Sequence, residues 1–230
     1  MCYNNLMEKV FENLNAILAN INEVTAKAGL DASAVEIIGA SKFRSIETLR
    51  ALSADGRVTV FGENKVQEFN SKYDENLTWD IIGQLQTNKV KYVVGKVRYI
   101  SSLDRISLAE EIERIATKKD VVQKCLVEVN SGEEECKGGL SVNEVDEFLE
   151  KLSAFSHIKV CGIMAVAPQG IGAEELKKCF LKVRRKFDEL KKIYPDFSVL
   201  SMGMSEDYLL AVECGSTQVR LGRILFGDRP

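Results

Sequence analysis

The chain has 230 residues, of which 45% are hydrophobic and 28% are charged, as is ordinary for a globular protein that buries a core of normal size. Its formal net charge of −3 excludes the basic excess that a nucleic-acid-binding protein usually carries. Because no apolar run approaches the roughly 18 residues needed to cross a bilayer and no signal peptide opens the chain, we expect a cytoplasmic protein that does not enter a membrane.

The first predicted element is an amphipathic helix. Apolar residues recur every three or four positions from Leu6 to Val24, and the pattern ends near Gly29. Eight short apolar runs follow. They predict strands over 35–41, 58–63, 78–84, 98–103, 124–130, 158–166, 198–203 and 217–222. Because these runs are continuous rather than alternating, they are typical of parallel strands that are buried on both faces.

Helical periodicity occupies each of the gaps between these strands. The predicted helices cover 46–53, 65–73, 88–94, 106–117, 141–152, 176–190 and a segment beginning at Ser205. Ser141 and Glu144 form a capping-box pattern, and Ser205 is expected to cap the last helix. With no linker in residues 1–230, this order predicts a single (β/α)8 TIM barrel with an extra N-terminal helix. A doubly wound open sheet is the alternative, because the pattern alone does not show that the sheet closes.

Cysteine and histidine spacing argues against a metal site. The six cysteines stand at 2, 125, 136, 161, 179 and 214, and no two are spaced as a CxxC or zinc pair. His157 is the one histidine. We therefore expect no metal, and we expect the cysteines to be reduced thiols of an intracellular protein.

Polar and small residues gather at the predicted C-terminal ends of the strands, where a TIM barrel carries its functional site. Lys42 follows the first strand and is the one obvious nucleophile. A lysine buried in a barrel mouth can become neutral, and a neutral amine forms a Schiff base with a carbonyl. Glycines in SMGMS (201–205) and RLG (220–222) stand where barrels commonly bind phosphate. A ligand with both a carbonyl and a phosphate suggests pyridoxal 5′-phosphate (PLP).

Each of these residues also has a structural interpretation. A lysine after a strand is commonly a solvated charge, and the glycines are compatible with ordinary strand-to-helix turns. Arg220 lies between two apolar residues and, if buried, needs a partner, which a carboxylate such as Glu128 would supply. His157 precedes the sixth strand, at the wrong end for chemistry, and is interpreted as structural. Spacing alone therefore predicts a barrel with a phosphate site.

Six segments of the chain resemble one known family. They are GASKFRS around Lys42, FGENKVQE (61–68), IGQLQTNK (82–89), LVEVN with CKGGL (136–140), GIMAVAP (162–168) and the block 200–227. The chain is thereby identified as similar to the YggS/PROSC family of PLP homeostasis proteins over nearly its whole length. The resemblance implies PLP as the cofactor and a barrel related to the PLP domain of alanine racemase (fold type III).

The resemblance also implies roles for individual residues. Lys42 would be the Schiff-base lysine, Arg220 would face the pyridine nitrogen and Asn64 would lie near the ring. The implied phosphate contacts are Ser201, Ser205 and the backbone N–H groups of Gly222 and Arg223. These seven residues are the cofactor-binding residues that we expect, and we expect no catalytic residue.

The chain departs from the family at several positions. Lys65 stands where the family often has Tyr, Asp80 where it often has His, and Arg223 where it often has Thr. The last change keeps a backbone donor but removes a side-chain hydroxyl. Lys137 matches a family lysine and is a weaker candidate for a second PLP contact. The chain stops at Pro230, short of the usual tail, which puts any role of tail lysines in doubt.

Two functions from different classes remain open. One is a non-catalytic protein that buffers PLP or delivers it to PLP-dependent apo-enzymes, and the other is an amino-acid racemase or a related PLP enzyme. Racemases of this fold add a C-terminal domain with a catalytic tyrosine, which we expect this chain to lack because its last tyrosine is Tyr208. An arginine at the pyridine nitrogen also weakens the ring as an electron sink, but racemases tolerate this, so Arg220 alone excludes neither function. Because the second domain is not expected, we favour a PLP carrier, and we expect a monomer because no long apolar patch in the sequence requires a dimer. A barrel that binds another phosphate ligand is the third interpretation.

Overall fold

Strands and helices alternate along the computed structural model, which describes residues 3–132, 138–168 and 170–228. The strands are β1 (Glu36–Ala40), β2 (Val60–Glu63), β3 (Thr78–Ile81), β4 (Tyr99–Leu103), β5 (Gln123–Asn130), β6 (Ile158–Val166), β7 (Val199–Ser201) and β8 (Gln218–Leu221). The helices are α1 (Tyr3–Ala28), α2 (Ile46–Asp55), α3 (Val66–Lys72), α4 (Ile106–Lys119), α5 (Val145–Leu152), α6 (Ala173–Ile193), α7 (Tyr208–Glu213) and α8 (Arg223–Phe226). Short 3-10 helices cover Ala32–Ala34, Thr87–Tyr92 and Val142–Glu144.

The eight strands close into a parallel barrel in sequence order. Closure depends on the pairing of β1 with β8, in which Ile38 lies opposite Arg220 and Gly39 lies opposite Leu221. The predicted TIM barrel is therefore confirmed, and the open-sheet alternative is wrong. Parallel strands place all their C-terminal ends at one rim of the barrel, which we call the mouth.

Two groups of apolar side chains fill the molecule. The larger group lies between the barrel and its helices, and it includes four residues of α1 that are almost fully buried: Val10, Leu14, Ile17 and Ile21. Burying a side chain of this size contributes about 1.5–3 kcal/mol, so α1 is fixed by its apolar face. A smaller group of Leu126, Cys161 and Met164 is separate from the first. Since the helices pack on the larger group, we assign the smaller one to the inside of the barrel.

A charged network closes the end of the barrel opposite to the mouth. Arg98, just before β4, donates to both carboxylate oxygens of Glu36 at 2.7 and 2.9 Å. It also donates to Oδ2 of the fully buried Asp80 at 2.7 Å. Gln218 donates to Glu36 at 2.8 Å. Asp80, one of the departures from the family, therefore belongs to this floor and not to the mouth.

Local signals set several of the helix ends. The capping box is confirmed, since Glu144 Oε2 accepts from Ser141 N at 2.8 Å. The prediction that Ser205 caps the helix after β7 is wrong, because α7 begins only at Tyr208 and its N-cap residue is Asp207. Ser205 Oγ instead accepts from Ile224 N at 3.3 Å. Within the described ranges, no helix is both long and apolar enough to cross a membrane.

Candidate functional site

A cleft of about 1160 Å³ opens at the mouth of the barrel. Six of the seven residues expected to bind a cofactor line it: Lys42, Asn64, Ser205, Arg220, Gly222 and Arg223. They come from the ends of β1, β2, β7 and β8, which are distant in sequence. The closed barrel therefore brings together the strand ends that the sequence analysis singled out.

Lys42 stands in a tight turn between β1 and α2. Ser41 extends the pairing of β1 with β2, because its N–H donates to the carbonyl oxygen of Gly62 at 3.0 Å. Arg44 N then donates back to Ser41 O at 2.9 Å and closes the turn. Lys42 is half-buried, and its Nζ lies 5.0 Å from the centre of the Phe43 ring. The turn thus presents an amine to the cleft, although not in the fully enclosed setting that its sequence suggested.

Arg220 is a buried cation beneath the cleft, as predicted, but its partners differ from the prediction. Its Nη1 donates to Ser201 O and Ser201 Oγ at 2.9 and 2.8 Å, and its Nη2 donates to Ala165 O at 2.9 Å. Burial lowers the pKa of Arg220 to about 10, so the group stays cationic at neutral pH. The suggestion that Glu128 pairs directly with Arg220 is wrong, because among the described residues the hydrogen bonds of Arg220 go to these oxygens.

Glu128 of β5 is a buried carboxyl group that does not itself line the cleft. Its Oε2 accepts from Gln84 Nε2 at 2.7 Å, and its backbone oxygen accepts from Leu140 N at 2.9 Å. Burial, with a further contribution from the Asp104 carboxylate, raises the pKa of Glu128 to about 7. The positive charge of Arg220 lowers the pKa of Glu128, but by less than burial raises it. Glu128 is therefore a group whose charge changes near neutral pH.

Two turns, one after β7 and one after β8, form one side of the cleft. After β7, Gly203 adopts φ of 92°, and a Cβ there would lie 2.7 Å from Ala211 Cβ, so the turn requires glycine. Its carbonyl oxygen accepts from Arg220 N at 3.0 Å and thereby joins the turn to β8. After β8, the exposed side chain of Arg223 pairs with Glu206 across the two turns. These turns hold Ser205, Gly222 and Arg223 close together.

The remaining predicted residues fall in different places. Ser201 is fully buried and lies behind Arg220, so it does not line the cleft. Lys65 is exposed at the N-cap of α3, as expected for an amine in water. His157 lies at the opposite end of the barrel, where its Nδ1 is 2.9 Å from Glu113 Oε1, which supports a structural role. Lys137 lies outside the described residues.

Sequence reasoning missed a second lysine at the site. Lys72 ends α3, and its Nζ lies 2.6 Å from Ser41 O and 2.6 Å from Glu63 Oε1, directly beneath the turn that carries Lys42. Its side chain is 8% exposed. The signal was present in the sequence, because Lys72 is three residues after the buried Phe69, which places these two side chains next to each other on one side of the helix.

Within the described residues, no three His, Cys, Asp or Glu side chains converge in a way that would hold a metal ion. The site that the structure assembles is instead one of a primary amine, a buried guanidinium and two polar turns. Such a set suits an anionic ligand with an electrophilic carbonyl.

Comparisons with known proteins agree with this description. The family model of the alanine racemase N-terminal domain matches residues 13–230. A pyridoxal phosphate homeostasis protein of Aquifex aeolicus is 43% identical over 223 residues, which cover 95% of this chain and 97% of that protein. Both are similarities over almost the full length of this chain.

Solved structures also have the same barrel fold as this chain. PipY of Synechococcus elongatus PCC7942, solved with PLP bound, is 33% identical with a TM-score of 0.76, over 90% of this chain and all of that chain. Alanine racemase of Clostridium difficile 630 is 18% identical with a TM-score of 0.73, over 97% of this chain and 57% of the racemase, and it shows the shared barrel alone. The chain therefore belongs to the alanine racemase N-terminal domain family and, within it, to the pyridoxal phosphate homeostasis proteins.

Proposed function

We propose that this protein binds PLP as a Schiff base on Lys42 and serves in cytoplasmic PLP homeostasis, buffering the cofactor or delivering it to apo-enzymes, without PLP catalysis of its own. One observation carries the proposal: six of the seven residues that the family resemblance assigns to PLP line a single cleft around Lys42. A relative that is 33% identical was solved with PLP bound, which supports the same ligand here.

The residues of the cleft fit the parts of PLP. The Lys42 amine suits the aldehyde, and Arg220 suits an unprotonated pyridine nitrogen, because a cation disfavours a second positive charge beside it. Three carbonyl and hydroxyl oxygens fix the guanidinium in place. When bound, PLP supplies an electron-withdrawing ring, and an unprotonated ring withdraws electrons less strongly. The site is thus suited to holding the cofactor more than to using it.

The phosphate would lie against the two turns that contain Ser205, Gly222 and Arg223. The Arg223 side chain is engaged with Glu206, so we assign the phosphate contact of this residue to its backbone N–H group. The Ser205 hydroxyl lines the cleft and supplies a side-chain donor. Hydrogen bonds to a phosphate dianion are charge-assisted and hence stronger than neutral ones.

The covalent step needs no further reactant. The Lys42 amine would add to the aldehyde carbon, and loss of one water molecule, made of the carbonyl oxygen and two protons, would leave a C=N bond. The reverse reaction with water, or exchange with the amine of an acceptor lysine, returns the free amine of Lys42. Reversible attachment of this kind is what a buffer or donor of the cofactor requires.

The test is an absorbance spectrum, followed by borohydride reduction and peptide mapping of the wild-type protein. We expect a Schiff-base band with PLP, and after reduction we expect the label on the peptide that contains Lys42. A protein without the band, or with its label on Lys65 or Lys137, would contradict the proposal. Inorganic phosphate that binds as tightly as PLP would favour a barrel for another phosphate ligand.

A further inference from the structure

The turn that carries Lys42 has an unfavourable backbone conformation. Phe43 adopts φ of 63°, in the left-handed region that residues with a Cβ avoid, and aromatic residues rarely occupy it. The residue is 52% exposed, so burial of the ring does not explain why the backbone stays there. Other contacts must hold the turn in this conformation.

Those contacts come from α3, on both sides of Phe43. The N–H of Phe43 donates to Glu68 Oε1 at 2.5 Å. Lys72 Nζ donates to Ser41 O at 2.6 Å and to Arg44 O at 3.3 Å, the carbonyl groups that flank Lys42 and Phe43. One helix therefore binds the turn before, at and after its left-handed residue.

Lys72 is itself held in place by carboxylates. Its Nζ lies 2.6 Å from Glu63 Oε1 and 3.2 Å from Glu68 Oε1. Glu63 is fully buried, and the same Oε1 accepts from Ser41 Oγ at 2.5 Å. Burial raises the pKa of Glu63 even though Lys72 and Ser41 oppose this, so the Lys72 ammonium is the main group that favours the charged form of Glu63. The network joins β2, α3 and the turn after β1.

We propose that Lys72 is a positioning residue for Lys42: by bonding the carbonyl groups on either side of the Lys42–Phe43 pair, it presets the left-handed turn that directs the Lys42 amine into the cleft. This inference rests on the proposed function in so far as Lys42 binds PLP. Lys72 does not compete as a second Schiff-base lysine, because its side chain is 8% exposed and its amine already has four oxygen neighbours.

The variants separate this role from general support of the fold. Lys72→Met removes the amine and keeps the length of the side chain. Lys65→Met, on an exposed lysine at the start of the same helix, is the matched control. Glu68→Ala releases Phe43 N without leaving Glu63 alone in the interior, and it replaces the first variant if Lys72→Met does not fold. Phe43→Gly removes the cost of the left-handed turn, because glycine adopts positive φ freely.

Two measurements report on Lys42. The first is the rate at which PLP forms the Schiff-base band with each variant. The second, made on the PLP-free protein, is the rate at which an amine-reactive ester labels Lys42, followed by peptide mapping across pH. If wild-type protein gave no Schiff-base band, the proposed function would fail, while the labelling experiment would still decide the role of Lys72.

We expect Lys72→Met, or Glu68→Ala, to slow both reactions of Lys42 about tenfold. Without these contacts, the population of the left-handed conformation at Phe43 should fall by roughly that factor. Lys65→Met should match the wild type. Adding Phe43→Gly to the slow variant should restore most of the rate without restoring lost thermal stability. Wild-type rates in a folded Lys72→Met or Glu68→Ala variant would overturn the proposal, and so would a double variant with Phe43→Gly that remains as slow as the single one.

Discussion

Arg220 Nη1 donates to the hydroxyl oxygen of Ser201 at 2.8 Å, and this hydrogen bond distinguishes Ser201 from Ser205, the other serine near the cleft. Ser201 is fully buried and faces the guanidinium. Ser205 lines the cleft and is partly exposed. The resemblance assigned both to the phosphate. Because the geometry connects Ser201 to the cation, we propose Ser205 alone as the serine that contacts the ligand.

This division predicts opposite effects for two alanine variants. Ser201→Ala should lower the free energy of unfolding by about 1.5 kcal/mol, because a hydrogen bond to a buried charged group is lost. Ser205→Ala should change stability little and weaken PLP binding about tenfold, the effect of one polar contact to phosphate. Urea unfolding and spectroscopic titration with PLP measure the two quantities. A Ser205→Ala variant that is destabilised but binds PLP normally would reverse the assignment.

The raised pKa of Glu128 predicts a pH-dependent stability. Its pKa in the folded protein is about 7, against an ordinary value of 4.5. Between these values the folded state keeps a proton that the unfolded chain has released, so stability falls as pH rises from about 4.5 to about 7. At most about 3–4 kcal/mol is lost, since one pKa unit corresponds to about 1.4 kcal/mol.

Glu128→Gln tests this sign directly. The amide keeps the size of the side chain and does not ionise, so the variant should gain stability relative to the wild type as the pH rises from 5 to 8. Urea unfolding of both proteins across this range gives the difference, in which all other titrating groups cancel. A difference between the two proteins that does not vary with pH would show that Glu128 does not titrate near neutrality.

The fold was accessible from sequence because the eight strands are local patterns of apolar residues. Closure of the barrel was inferred from chain length and the number of strands. It is established by the pairing of β1 with β8, in which Ile38 lies opposite Arg220. The end of β7 was predicted too late, because the chain already turns at Gly203, where φ is 92°. Ser205 has the residue type of a helix cap, but the amide that it serves is Ile224 N, in a different turn.

The site was predictable where it depends on strand ends and not where it depends on contacts between elements. Lys42 follows from its place just after β1, and Arg220 from its place within β8. The oxygens that hold Arg220 belong to β6 and β7, and no spacing in the sequence connects Ala165 or Ser201 with Arg220. Lys72 could have been noticed as a lysine on the buried face of α3, but its partners could not.

The two turns after β7 and β8 predict that phosphate, more than the ring, anchors the ligand. Pyridoxal has the same aldehyde and ring but no phosphate. It should bind at least about a hundredfold more weakly than PLP, because two or more charge-assisted hydrogen bonds of about 1.5–3 kcal/mol each are lost. Titration of the Schiff-base band with each compound measures the ratio. Similar affinities would refute the assignment of Ser205, Gly222 and Arg223.

Arg223 allows the backbone and the side chain to be tested separately as donors in the proposed phosphate site. Its side chain is 62% exposed and pairs with the exposed Glu206, and exposed ion pairs contribute about 0–1 kcal/mol. If the backbone N–H is the phosphate donor, Arg223→Ala should change PLP affinity by less than about fivefold. Titration in low and high salt measures this. A much larger loss that shrinks in high salt would instead assign the guanidinium to the phosphate.

The last prediction concerns activity: we expect no appreciable racemase turnover. Racemisation needs proton-transfer groups on both faces of the substrate, and such a group typically contributes about 10²–10⁴ in rate. In the proposed site, Lys42 would serve one face after a substrate amine displaced it. Among the described cleft residues the one tyrosine is Tyr208, which is 4% exposed and whose hydroxyl accepts from Asn20 of α1, while Lys65 is exposed at the N-cap of α3.

Incubation of the PLP-loaded protein with L-alanine or L-serine in deuterated water, followed by NMR, measures α-proton loss and chirality. Stereoinversion at about 1 s⁻¹ or faster, within the ordinary range of enzymes, would establish a racemase. Slow exchange without inversion is the result that we expect, because any accessible PLP Schiff base slightly acidifies the α-proton of a bound amino acid.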